Sequence, residues 1–300
     1  MRDMTKDYIL ITGATGNLGQ LLVNRLINRK KNLIIFSSGL SGNNPEKLFN
    51  NKDIKFCDLT NFSKIIEKYN PKLMINLQVK FSYVHDLALM NEMMDANIYT
   101  PIKLLEICSK NGLQRLISAT SAAIYQDNLS LGFDPQNFFA ATKQAFSDLA
   151  FSLSKVNEFA YDEVLIYETF SFNDQRKKIL STIIDCIKSG EKLKMSPGNQ
   201  IVDVSYADTV AAGICQFTDD NFISRVGKKN TYFASSGNRL TLKELAARCE
   251  NILNKKLNVE WGGLPYRNHE IMNPKEPIKN MNICDQEDID LIIRKLIESS

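Results

Sequence analysis

An α/β fold built on a doubly wound parallel sheet, with a smaller C-terminal lobe, follows from three features of the chain. Short apolar runs alternate with segments of helical periodicity through the first half, the first run opens into a glycine-spaced turn, and after residue 170 the alternation breaks. Strands are predicted at 8–12, 32–37, 54–57, 72–77 and 114–119, with a sixth at 163–169. The segments between them place apolar side chains at helical spacing, most clearly over 98–111. Parallel strands joined through helices are covered on both faces, and ligands then bind beyond the carboxyl ends of the strands. Residues 176–189 read as a helix. After it come the turn Ser196-Pro197-Gly198-Asn199-Gln200, the short Val202-Asp203-Val204, another helix, a strand near 231–234, a helix at 241–254 and an irregular tail. The domain organisation expected is a sheet domain over 1–170, to which 201–236 returns, and a lobe mainly within 171–300, made of 171–200 and 237–300.

Composition removes several function classes. Three hundred residues with 44% hydrophobic content bury a large core, and a net charge of +3 without a basic run interleaved with aromatics argues against nucleic acid. No apolar segment follows Met-Arg-Asp-Met-Thr-Lys-Asp and no stretch reaches membrane-spanning length, so a cytoplasmic protein with no membrane partner is expected. Six cysteines without a C-x-x-C read as buried free thiols. His85 and His269 have no ligand set beside them, so no metal site is expected.

The opening segment carries the strongest signal: Ile9-Leu10-Ile11-Thr12-Gly13-Ala14-Thr15-Gly16-Asn17-Leu18-Gly19, followed by Gln20-Leu21-Leu22-Val23-Asn24-Arg25-Leu26-Ile27 at helical spacing. Strand, glycine turn and helix in that order aim bare amides and the positive end of a helix dipole at one point, which suits a pyrophosphate. Gly13 is expected to make the turn, Gly16 to let backbone approach phosphate, and Gly19 to let helix and strand pack closely. Thr15, Asn17 and Leu18 complete the turn and are expected to share in that binding. No Gly-Lys-Ser/Thr follows, which disfavours a nucleotide-hydrolysing loop.

The T-G-x-x-G-x-x-G form resembles the short-chain dehydrogenase/reductase superfamily, and the chain's length resembles its extended branch, a Rossmann fold with a substrate lobe. The resemblance implies a nicotinamide coenzyme. Where that branch often has an acidic residue after the second strand, this chain has Phe36-Ser37-Ser38-Gly39. Loss of the carboxylate removes repulsion against a 2′-phosphate, so NADP is expected ahead of NAD, with Lys47 the nearest downstream cation. Asp58 resembles the adenine-contacting aspartate, with a turn or N-cap role as its other reading, and Leu59 follows it. Asn76-Leu77-Gln78-Val79 resembles a cleft-lining H-L-A segment, giving Leu77 and Gln78 as coenzyme contacts, and Asn97 resembles a helix-start asparagine that shapes the cleft.

The superfamily's catalytic pattern is Ser/Thr followed by Tyr-x-x-x-Lys. The segment from Ser118 to Tyr125 resembles the serine segment, with Ser121 at the catalytic position, and Lys143 matches the lysine. Position 139 is phenylalanine, which keeps the ring and lacks a transferable proton. General acid–base assistance is worth roughly 10²–10⁴-fold, so another donor is needed: Tyr125, Tyr83, or a water held by Lys143.

Later segments resemble sugar-nucleotide members of the extended branch. They are Glu168-Thr169-Phe170-Ser171-Phe172-Asn173-Asp174-Gln175-Arg176-Lys177-Lys178, the run from Ser196 to Asp208, and Trp261-Gly262-Gly263-Leu264-Pro265-Tyr266-Arg267-Asn268-His269-Glu270. They are most similar to nucleotide-sugar 4-ketoreductases of the CDP-abequose synthase type. That resemblance implies reduction of a 4-keto deoxysugar linked to CDP, dTDP, UDP or GDP, for surface polysaccharide. Tyr83, Arg176 and Arg267 become substrate-binding candidates, the arginines because a planar fork suits a diphosphate. A homodimer through helices near 98–111 and 140–154 is implied as well. An epimerase or dehydratase that recycles NAD, and a catalytically impaired dinucleotide-binding protein, remain the alternatives.

Overall fold

The computed structural model describes residues 6–39, 42–82, 86–125, 127, 132–172, 174, 176, 178–219 and 225–299. The first half runs β1 (Tyr8–Thr12), α1 (Asn17–Asn28), β2 (Asn32–Phe36), α2 (Pro45–Phe49), β3 (Lys55–Cys57), α3 (Phe62–Tyr69), β4 (Leu73–Asn76), α4 (Leu87–Met94), α5 (Thr100–Lys110), β5 (Arg115–Ser121), α6 (Phe138–Val156) and β6 (Ala160–Ile166). The second half adds β7 (Glu168–Phe170), α7 (Ile179–Ser189), β8 (Leu193–Met195), β9 (Ile201–Tyr206), α8 (Ala207–Gln216), β10 (Lys229–Ala234), β11 (Arg239–Thr241), α9 (Leu242–Leu253), β12 (Val259–Trp261) and α10 (Ile289–Ser299).

Seven strands form one sheet in the order β10-β6-β5-β4-β1-β2-β3, and every neighbouring pair is parallel. All five residues of β1 are buried, as a central strand covered on both faces requires. Alternation then sorts the strand's side chains. Ile9 and Ile11 pack with Leu22, Val23 and Leu26 of α1 and with Val210, Ala211 and Ile214 of α8. Tyr8 and Leu10 pack on the other side with Phe62 and Ile66 of α3, Leu104 and Leu105 of α5, and Phe146 and Ala150 of α6. Each fully buried aliphatic side chain contributes roughly 1.5–3 kcal/mol, so the doubly wound order rests on these two apolar layers. A third core joins α7, α9 and α10 around Ile183, Leu245 and Ile293, beside a three-stranded sheet (β11-β9-β7) and a parallel pair (β12-β8).

Three starts differ from the sequence reading by three residues or more. β6 starts at Ala160, not 163, because two acidic residues inside it find partners on neighbouring strands. Arg115 Nε donates to Asp162 at 2.6 Å, Asn230 Nδ2 donates to it at 2.8 Å, and Lys229 lies 3.4 Å from Glu163. The helix expected from 98 is the continuation of α4, which passes through a π-helical turn at Asp95–Tyr99 into α5. The helix expected from 176 starts at Ile179, leaving Arg176 in the preceding loop. Of the returning segment 201–236, β10 joins the large sheet and α8 packs on α1, where Arg25 grips Asp208 through two 2.7 Å bonds, while β9 belongs to the three-stranded sheet. Among the described residues no helix is long and apolar enough to cross a membrane, and no three His, Cys, Asp or Glu gather as a metal site. All six cysteines are free, and burial pushes the thiols of Cys57, Cys249 and Cys284 up to about 12.

Candidate functional site

The turn after β1 divides its three glycines between two tasks. Gly13 has φ +70°, and a Cβ there would lie 2.5 Å from the Leu77 carbonyl; a Cβ on Gly19 would overlap the Gly13 carbonyl oxygen. Gly19 therefore packs α1 on the turn itself, a closer partner than the strand expected from sequence. Gly16 differs, since a Cβ there meets only the Gly13 oxygen at 3.5 Å and otherwise open space. Gly16 caps α1 in an extended conformation with no side-chain hydrogen bond and no acidic residue in the first turn. The first helical bond beyond it runs from Gln20 N–H to the Gly16 carbonyl at 2.9 Å. The amides of Asn17, Leu18 and Gly19 precede that bond and face outward at the positive end of the dipole. Gln20 Nε2 braces the loop by donating to the Thr15 carbonyl at 2.9 Å. Thr12 Oγ1 donates to buried Asn76 Oδ1 at 2.6 Å, and the Leu77 amide donates to the Thr12 carbonyl at 3.1 Å. Leu77 and Gln78 are thus set against the glycine turn, with Gln78 Nε2 donating to the Ala96 carbonyl of the π turn at 2.9 Å.

Beyond the ends of β2 and β3 lies a cavity of about 480 Å³ lined by Ser37, Ser38, Gly39, Asn43, Asn44, Glu46, Asp58 and Asn61, among others. Its volume suits an adenosine. Asp58 lines it and holds a turn, the N-cap of α3 being Asn61. Its Oδ1 accepts from Thr60 Oγ1 at 2.6 Å and from the amides of Thr60 and Asn61 at 2.8 and 3.3 Å, which hold the carboxyl below its ordinary range. Leu59 beside it is half-exposed. Lys47 does not line the cavity, and none of the described lining residues is cationic.

At the carboxyl end of β5, Ser121 Oγ accepts from the Ala123 amide at 3.2 Å, leaving its O–H to donate elsewhere. Lys143, in the second turn of α6, is only 4% exposed, and its ammonium has no hydrogen bond or ion pair to the described residues. Burial lowers its pKa to about 8, against the opposing field of Glu163. Phe139 stands one turn earlier, its ring 4.9 Å from that of Phe81 in an edge-to-face pair. Tyr125 packs with the cluster containing Ala140, and both burial and the Glu163 field raise its phenol above the ordinary range. Tyr83 lies outside the described residues. Asn97 is buried in the π turn: its Oδ1 accepts from the Lys80 amide at 2.7 Å, and its Nδ2 donates to the Lys80 carbonyl and to Thr142 Oγ1, both at 2.9 Å. It ties Lys80 to α6 one residue before Lys143.

The model of the NAD dependent epimerase/dehydratase family matches residues 9–228. The chain belongs to that family. A CDP-abequose synthase from Yersinia pseudotuberculosis is 27% identical over 277 residues, covering 91% of this chain and 93% of the relative. Among solved structures, the UDP-N-acetylglucosamine 4-epimerase from Methanobrevibacter ruminantium M1, in complex with UDP-N-acetylmuramic acid, superimposes with a TM-score of 0.81 at 19% identity, covering 100% of this chain and 98% of that one. The UDP-glucose 4-epimerase of Thermus thermophilus, in complex with NAD, gives 0.78 at 16% identity, covering 97% and 98%. At these identities the likeness is one of fold.

The residues present fit the coenzyme that the family's name prescribes: Gly16 leaves room for a phosphate in front of the first amides of α1, and the cavity beside Ser37 and Ser38 has the volume an adenosine needs. The substrate candidates of this epimerase/dehydratase member are less uniform. Both prongs of the Arg176 fork are taken by Asp174, at 2.7 and 2.5 Å, so a diphosphate would compete with that carboxylate. Arg267 is exposed, its amide donating to Glu270 at 3.4 Å. Asp203 is buried between Ser235 at 2.8 Å and Arg239 at 3.1 Å, and Trp261 packs against Gly198; both are framework. Sequence reasoning missed Glu163 and Phe81. The first was hidden because a buried charge inside a strand looks like a loop signal, and the second because nothing local marks an aromatic that pairs with position 139.

Proposed function

We propose that this protein is a nucleotide-sugar oxidoreductase that uses a nicotinamide dinucleotide to reduce a 4-keto deoxysugar nucleotide in surface polysaccharide biosynthesis. The observation that supports the reading is the buried Lys143 of α6, whose ammonium has no hydrogen bond or ion pair to the described residues, together with a first βα turn that leaves room for a pyrophosphate at Gly16. The name of the Yersinia relative supports the class of substrate. A bound nicotinamide would supply the hydride. Ser121 donates a hydrogen bond to the carbonyl oxygen and polarises it. Lys143 holds the coenzyme ribose and delivers the proton, directly or through one water, because its lowered pKa of about 8 makes it a competent acid near neutrality. Tyr125 is the weaker donor, its raised phenol pKa opposing proton release.

The coenzyme reading keeps NADP ahead of NAD on the side chains that end β2, since Ser37 and Ser38 offer hydroxyls and no carboxylate follows Phe36. Glu46, on the cavity wall, is the residue that would oppose a 2′-phosphate, so relative affinity for the two coenzymes decides the matter. We infer a homodimer across α4 and α6, where Leu87, Met94, Leu149 and Val156, with Tyr99 of the π turn, are exposed.

A single-turnover assay with reduced coenzyme and a panel of 4-keto nucleotide sugars tests the proposal. Oxidation that survives Phe139→Ala and vanishes in Lys143→Met supports it. Tight coenzyme binding with no turnover on any sugar contradicts it, and a bound NAD that is never net oxidised or reduced would favour an epimerase.

A further inference from the structure

Glu163 of β6 is 1% exposed and incompletely satisfied. Its Oε2 lies 3.4 Å from Lys229 Nζ and accepts from Thr231 Oγ1 at 3.3 Å, both from β10, whereas its Oε1 is buried with no partner among the described residues. An uncompensated carboxylate oxygen in a low-dielectric interior is costly and calls for a reason. The parallel register sets Ser118 of β5 beside Glu163, and alternation puts Ser118, Thr120, Tyr161 and Glu163 on one face of the sheet. That face meets α6, since Tyr161 Oη bonds Ser118 Oγ at 3.0 Å and Ser147 Oγ at 3.2 Å, and Ser147 also accepts from Lys229 at 3.1 Å. Ser147 stands one turn along α6 from Lys143. Thr120 Oγ1, on the same face, is likewise buried and has no partner among the described residues. The charged and titratable groups around this layer are Glu163 and Tyr161 from β6, Lys229 from β10, Tyr125 after β5 and Asp148 on α6, and among them Glu163 is the one whose field reaches Lys143.

We propose that Glu163 is a positioning residue for Lys143: its buried carboxylate, anchored by Lys229 and Thr231 on the sheet face that meets α6, supports the Lys143 side chain from beneath that helix. Lys229 enters with the opposite sign, drawing on the same carboxylate. The chain thereby supplies from beneath α6 the electrostatic support that position 139, a phenylalanine, does not give. The inference rests on the proposed role of Lys143, yet its test needs neither coenzyme nor sugar and so can fail separately.

The experiment is an NMR titration of the full chain carrying ¹³Cε-labelled lysine, with Lys143→Arg assigning the resonance. In the unaltered protein the Lys143 midpoint is expected near 8. Glu163→Gln should lower it by a unit or more, about tenfold in the ionisation constant; Glu163→Asp should restore part of the shift, and Lys229→Met should raise it. If Glu163→Gln does not fold by circular dichroism, the double variant Glu163→Gln with Lys229→Met takes its place, with a lowered midpoint again expected. A midpoint unchanged in the folded variant, or shifts of the same sign in Glu163→Gln and Lys229→Met, would overturn the proposal.

Discussion

At the residue scale, the proposed role of Lys143 as ribose holder and acid has a cost in stability. Its folded pKa, lowered by burial from 10.5 to about 8, means that between those values the unfolded chain binds a proton that the native chain lacks. Stability therefore rises with pH across that window, and below it the buried ammonium costs about 3 kcal/mol. Lys143→Met should raise the urea midpoint at pH 7, with the gain shrinking toward pH 10, while reduction is lost. The rate of reduction in the unaltered protein should fall as pH climbs through about 8, where the acid deprotonates. The glycines give a second contrast. Gly13→Ala forces a side chain into the Leu77 backbone at positive φ and should destabilise the fold by several kcal/mol. Gly16→Ala meets no such obstacle and should melt close to the unaltered protein while losing coenzyme affinity tenfold or more.

At the scale of elements, the central strands were legible because both their faces are buried, which leaves continuous apolar runs at β1, β2 and β4. The start of β6 was not, since Asp162 and Glu163 are tolerated only through partners 47 to 68 residues distant in sequence. The π turn at Asp95–Tyr99 was equally hidden, because an i→i+5 turn leaves no periodic mark of its own. It matters nonetheless: it carries Asn97 into its three hydrogen bonds and offers the Ala96 carbonyl to Gln78. Asn97 was recognisable through resemblance alone, and so was Lys143, whereas the engagement of Arg176 by Asp174 could not be read from either. Asn97→Ala should cost roughly 1–3 kcal/mol, the penalty for stranding the Lys80 backbone groups, and should weaken coenzyme binding more than the loss of stability explains. Urea denaturation and a coenzyme titration on one preparation separate the two effects.

Across the whole molecule, two apolar layers fix the seven-stranded sheet, and a third core holds the C-terminal elements around α7 and α9. Exposed Leu149 and Val156 lie seven residues apart on one face of α6, as do Leu87 and Met94 on α4. Sedimentation of the unaltered protein should give a dimer, and Leu149→Glu should give a folded monomer. Both that surface and the proposed reduction presuppose a molecule organised around a dinucleotide held at the first βα turn. Calorimetric titration of the purified chain with oxidised and reduced NAD and NADP addresses that directly. Saturable one-to-one binding, sharply weakened by Gly16→Ala in a protein of unchanged melting temperature, is the result expected; a folded protein that takes up none of the four would contradict it.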